Sequence, residues 1–343
     1  METERIENEE QLELELSRTY PETVEQLRRI EGDFLVLGAG GKMGPTLSRL
    51  LKNAAPPNRR KIYAVSRFSD PAVRDRLEGA GVQTIQADLI ERSSYDALPD
   101  AANIFFLAGM KFGASAQEHL TWAMNTYVPA LAAGRWSGPA TRIVVFSTGN
   151  VYPFVESDSG GADEHTRPEP LGEYAMSCLG RERIFQYFSA TRGTPTVLIR
   201  LNYANELRYG VLVDLAQKVL AGQAIDLSMG YVNVIWQGDA NNYIARSLCL
   251  ASSPASVLNV AGPEILSVRS LAERIAQLAG TKARFTGNEQ PTALLSDSSR
   301  CLELFGPPAV SLEWMLSRVV NWLSRGGRTL NKPTKYQVRD GKF

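Results

Sequence analysis

A glycine-rich segment near residue 40 has the spacing of a phosphate-binding loop. The segment Gly38–Gly44 reads GAGGKMG and directly follows the short apolar run Phe34–Leu37. One glycine can make the turn, a second lets the backbone approach a pyrophosphate, and the last lets a following helix pack on the strand. The amino end of that helix offers donors and partial positive charge to phosphate oxygens. The segment therefore predicts dinucleotide binding.

The second apolar run ends in Ser66 and Arg67, which bear on the kind of dinucleotide. A site selective for NAD usually has an acidic residue here, which binds the ribose diol. A hydroxyl and a guanidinium instead match a 2′-phosphate. The sequence favours NADP over NAD, with the alternative that Arg67 only stacks on adenine or faces solvent.

Lys111 lies just past the fourth apolar run, in the segment LAGMKFG. Loops at the carboxyl ends of parallel strands converge on the ligand of such a sheet. Gly109 and Gly113 would let this loop approach closely. We expect Lys111 to bring a positive charge to the site, with a solvated loop lysine as the alternative.

An alternation of short apolar runs and helical segments, beginning at Asp33, positions these residues. The apolar runs predict strands at 34–37, 62–65, 83–86, 104–107, 143–146 and 197–199. Buried strands separated by helices indicate an α/β fold with a doubly wound parallel sheet, covered by helices on both faces. The predicted segments are a helical extension (1–31), a Rossmann domain (32–203, completed by 233–262), a substrate-binding lobe (204–232 and 263–325) and a basic tail (326–343).

Composition narrows the classes of partner. Lys and Arg number 37 and Asp and Glu number 37, so no net charge draws the molecule to nucleic acid or to a membrane surface. No apolar run approaches the roughly 18 residues of a membrane span. Three cysteines at unrelated spacings suit reduced thiols in a cytoplasm. Two histidines and no Cys-x-x-Cys pair argue against a metal site.

Several further motifs occur in the order and spacing of a known family. Residues 174–178 (YAMSC) resemble Tyr-x-x-x-Lys, residues 147–152 (STGNVY) resemble Ser-Ser-x-x-Val-Tyr, and residues 259–263 (NVAGP) resemble an Asn-Val-Gly segment. With the glycine pattern, they make the chain similar to the extended short-chain dehydrogenase/reductase family, the NAD-dependent epimerases and dehydratases. The resemblance runs from about Asp33 to Leu323.

The resemblance implies nicotinamide chemistry at named positions. In this family a hydride passes between the nicotinamide and a carbinol carbon, while the tyrosine moves the hydroxyl proton. It implies catalytic roles for Tyr174, Thr148 and the helix asparagine Asn125, and we add Lys111. The expected cofactor contacts, which include the pair after the third strand that meets adenine (Asp88 and Leu89), are Gly38, Gly41, Lys42, Met43, Gly44, Ser66, Arg67, Asp88, Leu89, Leu107, Ala108, Gly109, Ser147 and Cys178.

The chain departs from the family pattern at three places. Cys178 stands where the family keeps a lysine that lowers the tyrosine pKa and binds the nicotinamide ribose, and a neutral thiol does neither well. Val232 and Trp236 replace an arginine and a histidine that precede an acidic residue in nucleotide-sugar enzymes. The segment after the sixth strand lacks the usual Pro-Gly turn. We expect Lys111 to supply the missing charge.

The residues expected to contact substrate are Asn150, His165, Asn202, Arg208 and Trp236. Arg208 could bind a carboxylate through two hydrogen bonds, and Trp236 could stack on a sugar face. The alternatives for these two residues are an ordinary ion pair and a core aromatic.

The leading hypothesis is an NAD(P)-dependent oxidoreductase or epimerase that acts on a carbohydrate-like hydroxyl or ketone, such as a sugar or sugar acid. One alternative is a nucleotide-sugar epimerase or dehydratase with an altered diphosphate site. Another is a catalytically silent NADP-binding regulatory or scaffold protein. We expect a small-molecule substrate, no nucleic-acid or membrane partner, a homodimer and a cytoplasmic location.

Overall fold

The computed structural model describes residues 6–55, 60–111 and 117–342. Gly113, expected to help its loop approach the site, lies outside the described residues. The strands are β1 (Phe34–Leu37), β2 (Ile62–Ser66), β3 (Gln83–Gln86), β4 (Asn103–Phe106), β5 (Arg142–Thr148), β6 (Val155–Glu156), β7 (Thr196–Leu201), β8 (Ala204–Asn205), β9 (Ala224–Asp226), β10 (Tyr231–Val232), β11 (Ile235–Trp236), β12 (Ser256–Val260), β13 (Leu266–Ser267), β14 (Arg284–Thr286) and β15 (Thr292–Ala293). The α-helices are α1 (Glu9–Leu16), α2 (Pro21–Arg28), α3 (Gly44–Ala54), α4 (Pro71–Gly79), α5 (Glu118–Trp122), α6 (Val128–Arg135), α7 (Gly172–Arg192), α8 (Val211–Leu220), α9 (Gln237–Arg246), α10 (Val268–Leu278), α11 (Ser299–Phe305) and α12 (Leu312–Ser324).

Seven parallel strands form the central sheet, in the order β12-β7-β5-β4-β1-β2-β3. Every residue of β1 and β4 is buried, because helices cover both faces. The predicted fold class is confirmed, and each of the six predicted strands is present. The seventh strand, β12, joins the edge beside β7.

The helical layers differ in their partners. One face of the sheet packs against α3 and α9, and the other packs against α6 and α7. Helix α7 is the longest described helix, with 21 residues, and ends at Gly193, whose left-handed φ of 66° suits glycine. This helix carries Tyr174 near its amino end.

A second core lies in the carboxyl-terminal lobe. Helices α8, α10 and α12 pack together around buried aliphatic residues. Both terminal segments contribute to this core: α1 inserts Leu12 and Leu16, and the tail inserts Tyr336. We call residues 331–342 the C-terminal strap. It lacks regular secondary structure, and it packs on the lobe through Tyr336, which is 1% exposed.

In the described part of the chain, no helix is long and apolar enough to cross a membrane. No group of three or more His, Cys, Asp or Glu side chains there is arranged to hold a metal ion.

Candidate active site

The glycine-rich loop joins β1 to α3 and has the shape of a phosphate cradle. Gly38 has φ +86°, and a Cβ there would lie 2.6 Å from the backbone nitrogen of Ala108. A Cβ on Gly44 would collide with the backbone of Ala39. Because α3 begins at Gly44, its free amide groups face the loop. These residues fit the diphosphate of a dinucleotide, as the spacing predicts.

The end of β2 borders this cradle where the adenosine is expected, since Ser66 lies against Gly40 of the loop. The Arg67 guanidinium is 3.9 Å from the Asp88 carboxylate, and the Arg67 side chain is 66% exposed. Ser66 accepts a hydrogen bond from the Phe68 amide at 3.5 Å. Leu89 is buried beside them. The guanidinium is therefore accessible to a phosphate on the adenosine ribose.

Lys42 belongs to the loop, but its side chain turns towards the lobe. Its Nζ donates to the Ala204 carbonyl at 2.5 Å and lies 4.4 Å from the centre of the Tyr209 ring. Burial lowers the pKa of Lys42 to about 7, against the opposing effect of Glu206. Met43 packs into the core under the loop. Lys111 contributes to the lowering of the Lys42 pKa, so the two lysines lie near each other. The cofactor contacts expected of Lys42 and Met43 stay predictions.

Tyr174 and Thr148 lie together at the carboxyl end of the sheet. The Tyr174 hydroxyl is hydrogen-bonded to Thr148, the last residue of β5. Thr148 Oγ1 donates to Asn150 Oδ1 at 2.9 Å and accepts from the Asn150 amide at 3.2 Å. Burial raises the pKa of Tyr174 well above its ordinary value, and Cys178 adds to this. The Tyr174 phenol is therefore protonated at neutral pH.

Lys111 reaches the same place from the loop after β4. Its Nζ lies 5.7 Å from the centre of the Tyr174 ring. Burial lowers the pKa of Lys111 to about 8; nearby Cys178 opposes this and Lys335 of the strap adds to it. The structure brings Lys111 and Tyr174 together, and the catalytic role of the lysine stays a prediction.

Cys178 and Asn125 are both buried against other parts of the protein. Cys178 has no exposed surface, and its Sγ is 4.0 Å from Asn125 Nδ2. The cofactor contact expected for Cys178 stays a prediction. Asn125 lies in the π-helical turn Ala123–Tyr127 and holds the backbone of Met110 through two hydrogen bonds, of 2.9 and 3.0 Å. Asn125 thus shapes the loop that carries Lys111 rather than facing substrate.

The remaining cofactor positions lie beneath the loop. Leu107 and Ala108 follow β4 and pack against the first glycine of the cradle. Ser147 donates its hydroxyl hydrogen to Glu182 at 2.6 Å, and Glu182 forms a buried ion pair of 2.8 Å with Arg200. Ser147 therefore joins α7 to the sheet.

Arg181 is a site residue that the sequence interpretation missed. It lies three positions after Cys178 on α7 and is 5% exposed. Its Nη1 donates to the Phe146 carbonyl at 2.7 Å, and its Nη2 donates to Asn125 Oδ1 at 2.5 Å. The guanidinium fills the space where a Cβ on Gly109 would lie. The helical spacing from Tyr174 was the signal that could have identified it.

Arg208 does not face the site, in contrast to its predicted substrate role. Its guanidinium pairs with Glu206 at 3.1 Å, Glu9 at 3.1 Å and Glu13 at 2.7 Å. Two of these carboxylates belong to α1, which the sequence could not place. All three guanidinium nitrogens are engaged, so the expected binding of a substrate carboxylate is replaced by attachment of the N-terminal extension.

Trp236 also differs from its predicted substrate role. It is 1% exposed, and its ring packs edge-on against Trp314 at 5.1 Å, as a core aromatic does. Asn202 is buried and donates to Asn233 Oδ1 at 3.0 Å. His165 is exposed in its loop. Of the expected substrate residues, Asn150 has the most direct link to Tyr174 and Thr148, through its hydrogen bonds with Thr148.

The strap closes the mouth beside Tyr174. Gly341 contacts Gly172 so closely that a Cβ on either residue would collide with the backbone of the other. A small pocket beside Tyr174 is lined by Glu118, Gly172, Glu173, Asp340, Gly341 and Lys342. The end of the described chain therefore forms one wall of the site.

Solved structures share this fold at low sequence identity. MoeE5 in complex with UDP-glucuronic acid and NAD is 20% identical, with a TM-score of 0.69 over 86% of this chain and 99% of that chain. UDP-glucuronic acid 4-epimerase from Bacillus cereus in complex with NAD is 18% identical, with a TM-score of 0.69 over 85% and 99%. dTDP-glucose 4,6-dehydratase from Bacillus anthracis in complex with NAD is 15% identical, with a TM-score of 0.71 over 85% and 96%.

A comparison with curated proteins finds no match. The sequence profile of the NAD dependent epimerase/dehydratase family matches residues 34–225, which is more than half of the chain. This match confirms the resemblance that the motifs indicated, and it spans the glycine-rich loop, the strand that ends in Thr148 and the helix that carries Tyr174. The chain belongs to the NAD dependent epimerase/dehydratase family.

Proposed function

We propose that the protein is a nicotinamide-dependent oxidoreductase or epimerase that acts on a hydroxyl or ketone of a carbohydrate-like molecule. One observation carries the proposal: the Tyr174 hydroxyl is hydrogen-bonded to Thr148, and the Lys111 ammonium lies 5.7 Å from the tyrosine ring centre. Two hydroxyls and a cation beside a dinucleotide loop are the groups needed to exchange a proton with a carbinol oxygen.

The proposed reaction assigns one task to each residue. Tyr174 moves the proton of the substrate hydroxyl. Asn150 positions Thr148 through their two hydrogen bonds before substrate binds. Thr148 then turns its hydroxyl hydrogen from Asn150 Oδ1 to the substrate oxygen. The positive charge of Lys111 favours the phenolate of Tyr174. The chemistry that a bound nicotinamide supplies is hydride exchange with the carbon that carries this oxygen.

For the substrate we propose a free sugar or sugar acid. The support is the absence of the family's diphosphate anchor, since Val232 takes the place of the arginine and Trp236 is buried in the core. A nucleotide sugar is the second candidate. It is favoured by the fold neighbours solved with UDP-glucose and UDP-glucuronic acid.

A turnover assay over free sugars, sugar acids and nucleotide sugars, read by nicotinamide absorbance and by product analysis, tests this function. We expect Tyr174→Phe to lower turnover by roughly 10²- to 10⁴-fold. Tyr187→Phe is the matched control on the same helix, because its side chain is 63% exposed. Cofactor binding without turnover of any class would replace the proposal by that of a silent NADP-binding protein.

We also propose a preference for NADP(H) over NAD(H). The support is the accessible Arg67 guanidinium at the end of β2, with one carboxylate 3.9 Å away. Arg67→Asp should move the preference towards NAD(H) by about 1–3 kcal/mol, the range of a charge-assisted hydrogen bond. Calorimetric titration of both cofactors measures this, with Arg192→Asp as an exposed control at the far end of α7. Tighter NAD(H) binding by the unmodified protein would contradict it.

We propose a homodimer in the cytoplasm. Helices α5, α6 and α7 pack side by side. Together with the π-helical turn between α5 and α6, they expose large apolar side chains: Trp122, Tyr127, Met176 and Tyr187. A face of this kind suits a second copy of the same face around a twofold axis. Sedimentation velocity should give a dimer that Tyr187→Lys weakens. Leu304→Lys is the control, because Leu304 is exposed on α11.

A further inference from the structure

We propose that Arg181 is a positioning residue that supplies, in place of the lysine expected at position 178, a permanent positive charge acting on Tyr174. The inference rests on the proposed function for its catalytic meaning. Tyr174, Cys178 and Arg181 are spaced by four and then three residues on α7. This spacing places all three side chains on one face of the helix.

The orientation of the guanidinium is fixed. Nη1 is bound to the Phe146 carbonyl and Nη2 to Asn125 Oδ1, while the guanidinium carbon lies 5.9 Å from the centre of the Phe106 ring. Gly109 leaves the room that the guanidinium occupies, since any Cβ there would collide with Nη2. The loop after β4 therefore combines two features: a glycine that admits Arg181 and, two residues later, Lys111.

The charge of Arg181 is not neutralised by a carboxylate. Among the described residues, none forms an ion pair with it, and the neighbouring Glu182 is engaged by Arg200. Both hydrogen-bond acceptors of Arg181 are neutral oxygens. Because a guanidinium keeps its proton in proteins, Arg181 is positively charged. Its charge acts electrostatically on the nearby ionisable groups, Tyr174 and Cys178.

Arg181 acts to lower the pKa of both groups, which is the direction that proton transfer by Tyr174 requires. Burial raises the pKa of Tyr174, and Cys178 raises it further, whereas Arg181 lowers it. Burial likewise raises the pKa of Cys178, and Arg181 again opposes the change. Lys111, whose pKa burial lowers to about 8, loses its charge in alkaline solution.

The experiment replaces Tyr174 by 3,5-difluorotyrosine, whose phenol is more acidic, and follows its titration by ¹⁹F NMR without substrate. Arg181→Gln and Arg181→Met remove the charge, and we expect each to raise the phenol pKa by about one unit. Arg181→Lys retains the charge and should stay within about half a unit. Arg181→Gln combined with Cys178→Lys returns a cation one turn earlier and should lower the pKa again.

The outcomes separate a charge effect from a structural one. An unchanged phenol pKa in folded Arg181→Gln or Arg181→Met overturns the inference. If neither variant folds, Asn125→Asp replaces them, because it places a carboxylate against the intact guanidinium; a phenol pKa that does not rise there overturns the inference equally. The readout needs no turnover. A shifted pKa in a protein inactive on every substrate would therefore reject the proposed function and leave the role of Arg181 standing.

Discussion

The two terminal segments attach to the same lobe by different means. Helix α1 inserts Leu12 and Leu16, both fully buried, and two of its four glutamates, Glu9 and Glu13, pair with Arg208. The C-terminal strap inserts one aromatic side chain, Tyr336, and is otherwise held by polar contacts, such as the 2.8 Å hydrogen bond that the Thr334 amide donates to the half-buried carboxylate of Asp214.

The two segments also differ in the residues that they contact. The contacts of α1 end at residues that take no part in the proposed chemistry. The end of the strap, at Gly341, contacts Gly172, which lies two positions before Tyr174. We infer that the N-terminal extension contributes mainly to stability and the strap mainly to the geometry of the site. Four substitutions test this contrast.

The largest effect is expected from Arg208→Ala. The free energy of unfolding should fall by about 3–5 kcal/mol, because Glu206, 1% exposed, would stay buried without its cation. The loss should shrink towards pH 5, since burial already raises the pKa of Glu206 and a protonated carboxyl needs no partner. Urea denaturation at both pH values measures it.

Arg18→Ala is the control for this substitution, because the Arg18–Glu15 pair is exposed and 3.8 Å long. Its cost should stay below about 1 kcal/mol. If Arg208→Ala lowers the free energy of unfolding as little as the control does, the ion pairs of Arg208 do not attach α1 to the lobe.

Leu16→Ala should cost about 2–5 kcal/mol, because it opens a cavity where α1 meets the lobe. Leu14→Ala on the same helix should change the free energy of unfolding by less than about 0.5 kcal/mol, because Leu14 is 47% exposed. Turnover per folded molecule should be unchanged in both. A loss of turnover in folded Leu16→Ala would mean that α1 also shapes the site.

Gly341→Ala tests the strap. Gly341 and Gly326 have nearly the same φ, +77° and +74°, so alanine strains both backbones equally, but only Gly341 contacts another segment. We expect Gly341→Ala to lower turnover by about tenfold through displacement of the Tyr174 helix end, and Gly326→Ala to leave it unchanged. Hydrogen exchange at residues 172–174 should quicken only in Gly341→Ala. Equal behaviour of the two variants would count against a role of the strap.

The smallest effect is expected from Lys335→Met. Lys335 helps to lower the pKa of Lys111, so its removal should raise that pKa by about half a unit from about 8. An unfolded lysine keeps its proton to higher pH than the folded Lys111, so stability rises with pH above about 8, and the variant should reduce that slope. Lysine NMR titration measures the shift. Arg328→Met, at the other end of the tail, should leave it unchanged.

The cofactor half of the molecule was the more predictable one. Strands buried on both faces must be apolar throughout, so β1, β2 and β4 were visible as runs. The glycine-rich loop is readable because backbone geometry restricts its positions to glycine. The edge strand β12 was not predicted, because Ser256 and Asn259 interrupt its apolar character.

The substrate side was less predictable, because its contacts join distant parts of the chain. Arg208 binds Glu13, which is 195 positions away, and no local pattern announces such a pair. Trp236 reads equally well as a sugar platform or as a core residue. Arg181 shares a helix face with Tyr174, yet the sequence does not say which face meets the sheet.

The contact between Gly172 and Gly341 also has a consequence for the order of assembly. The two residues are separated by about half of the chain, so their meeting requires the closure of a very long loop. A chain growing from its amino end can form all seven sheet strands once residue 260 is available. The wall beside Tyr174 can form only after a further eighty or so residues have been made. We therefore expect a ribosome-bound chain to hold a complete sheet and an open site, and to become active only after residue 341 has been added and has reached Gly172.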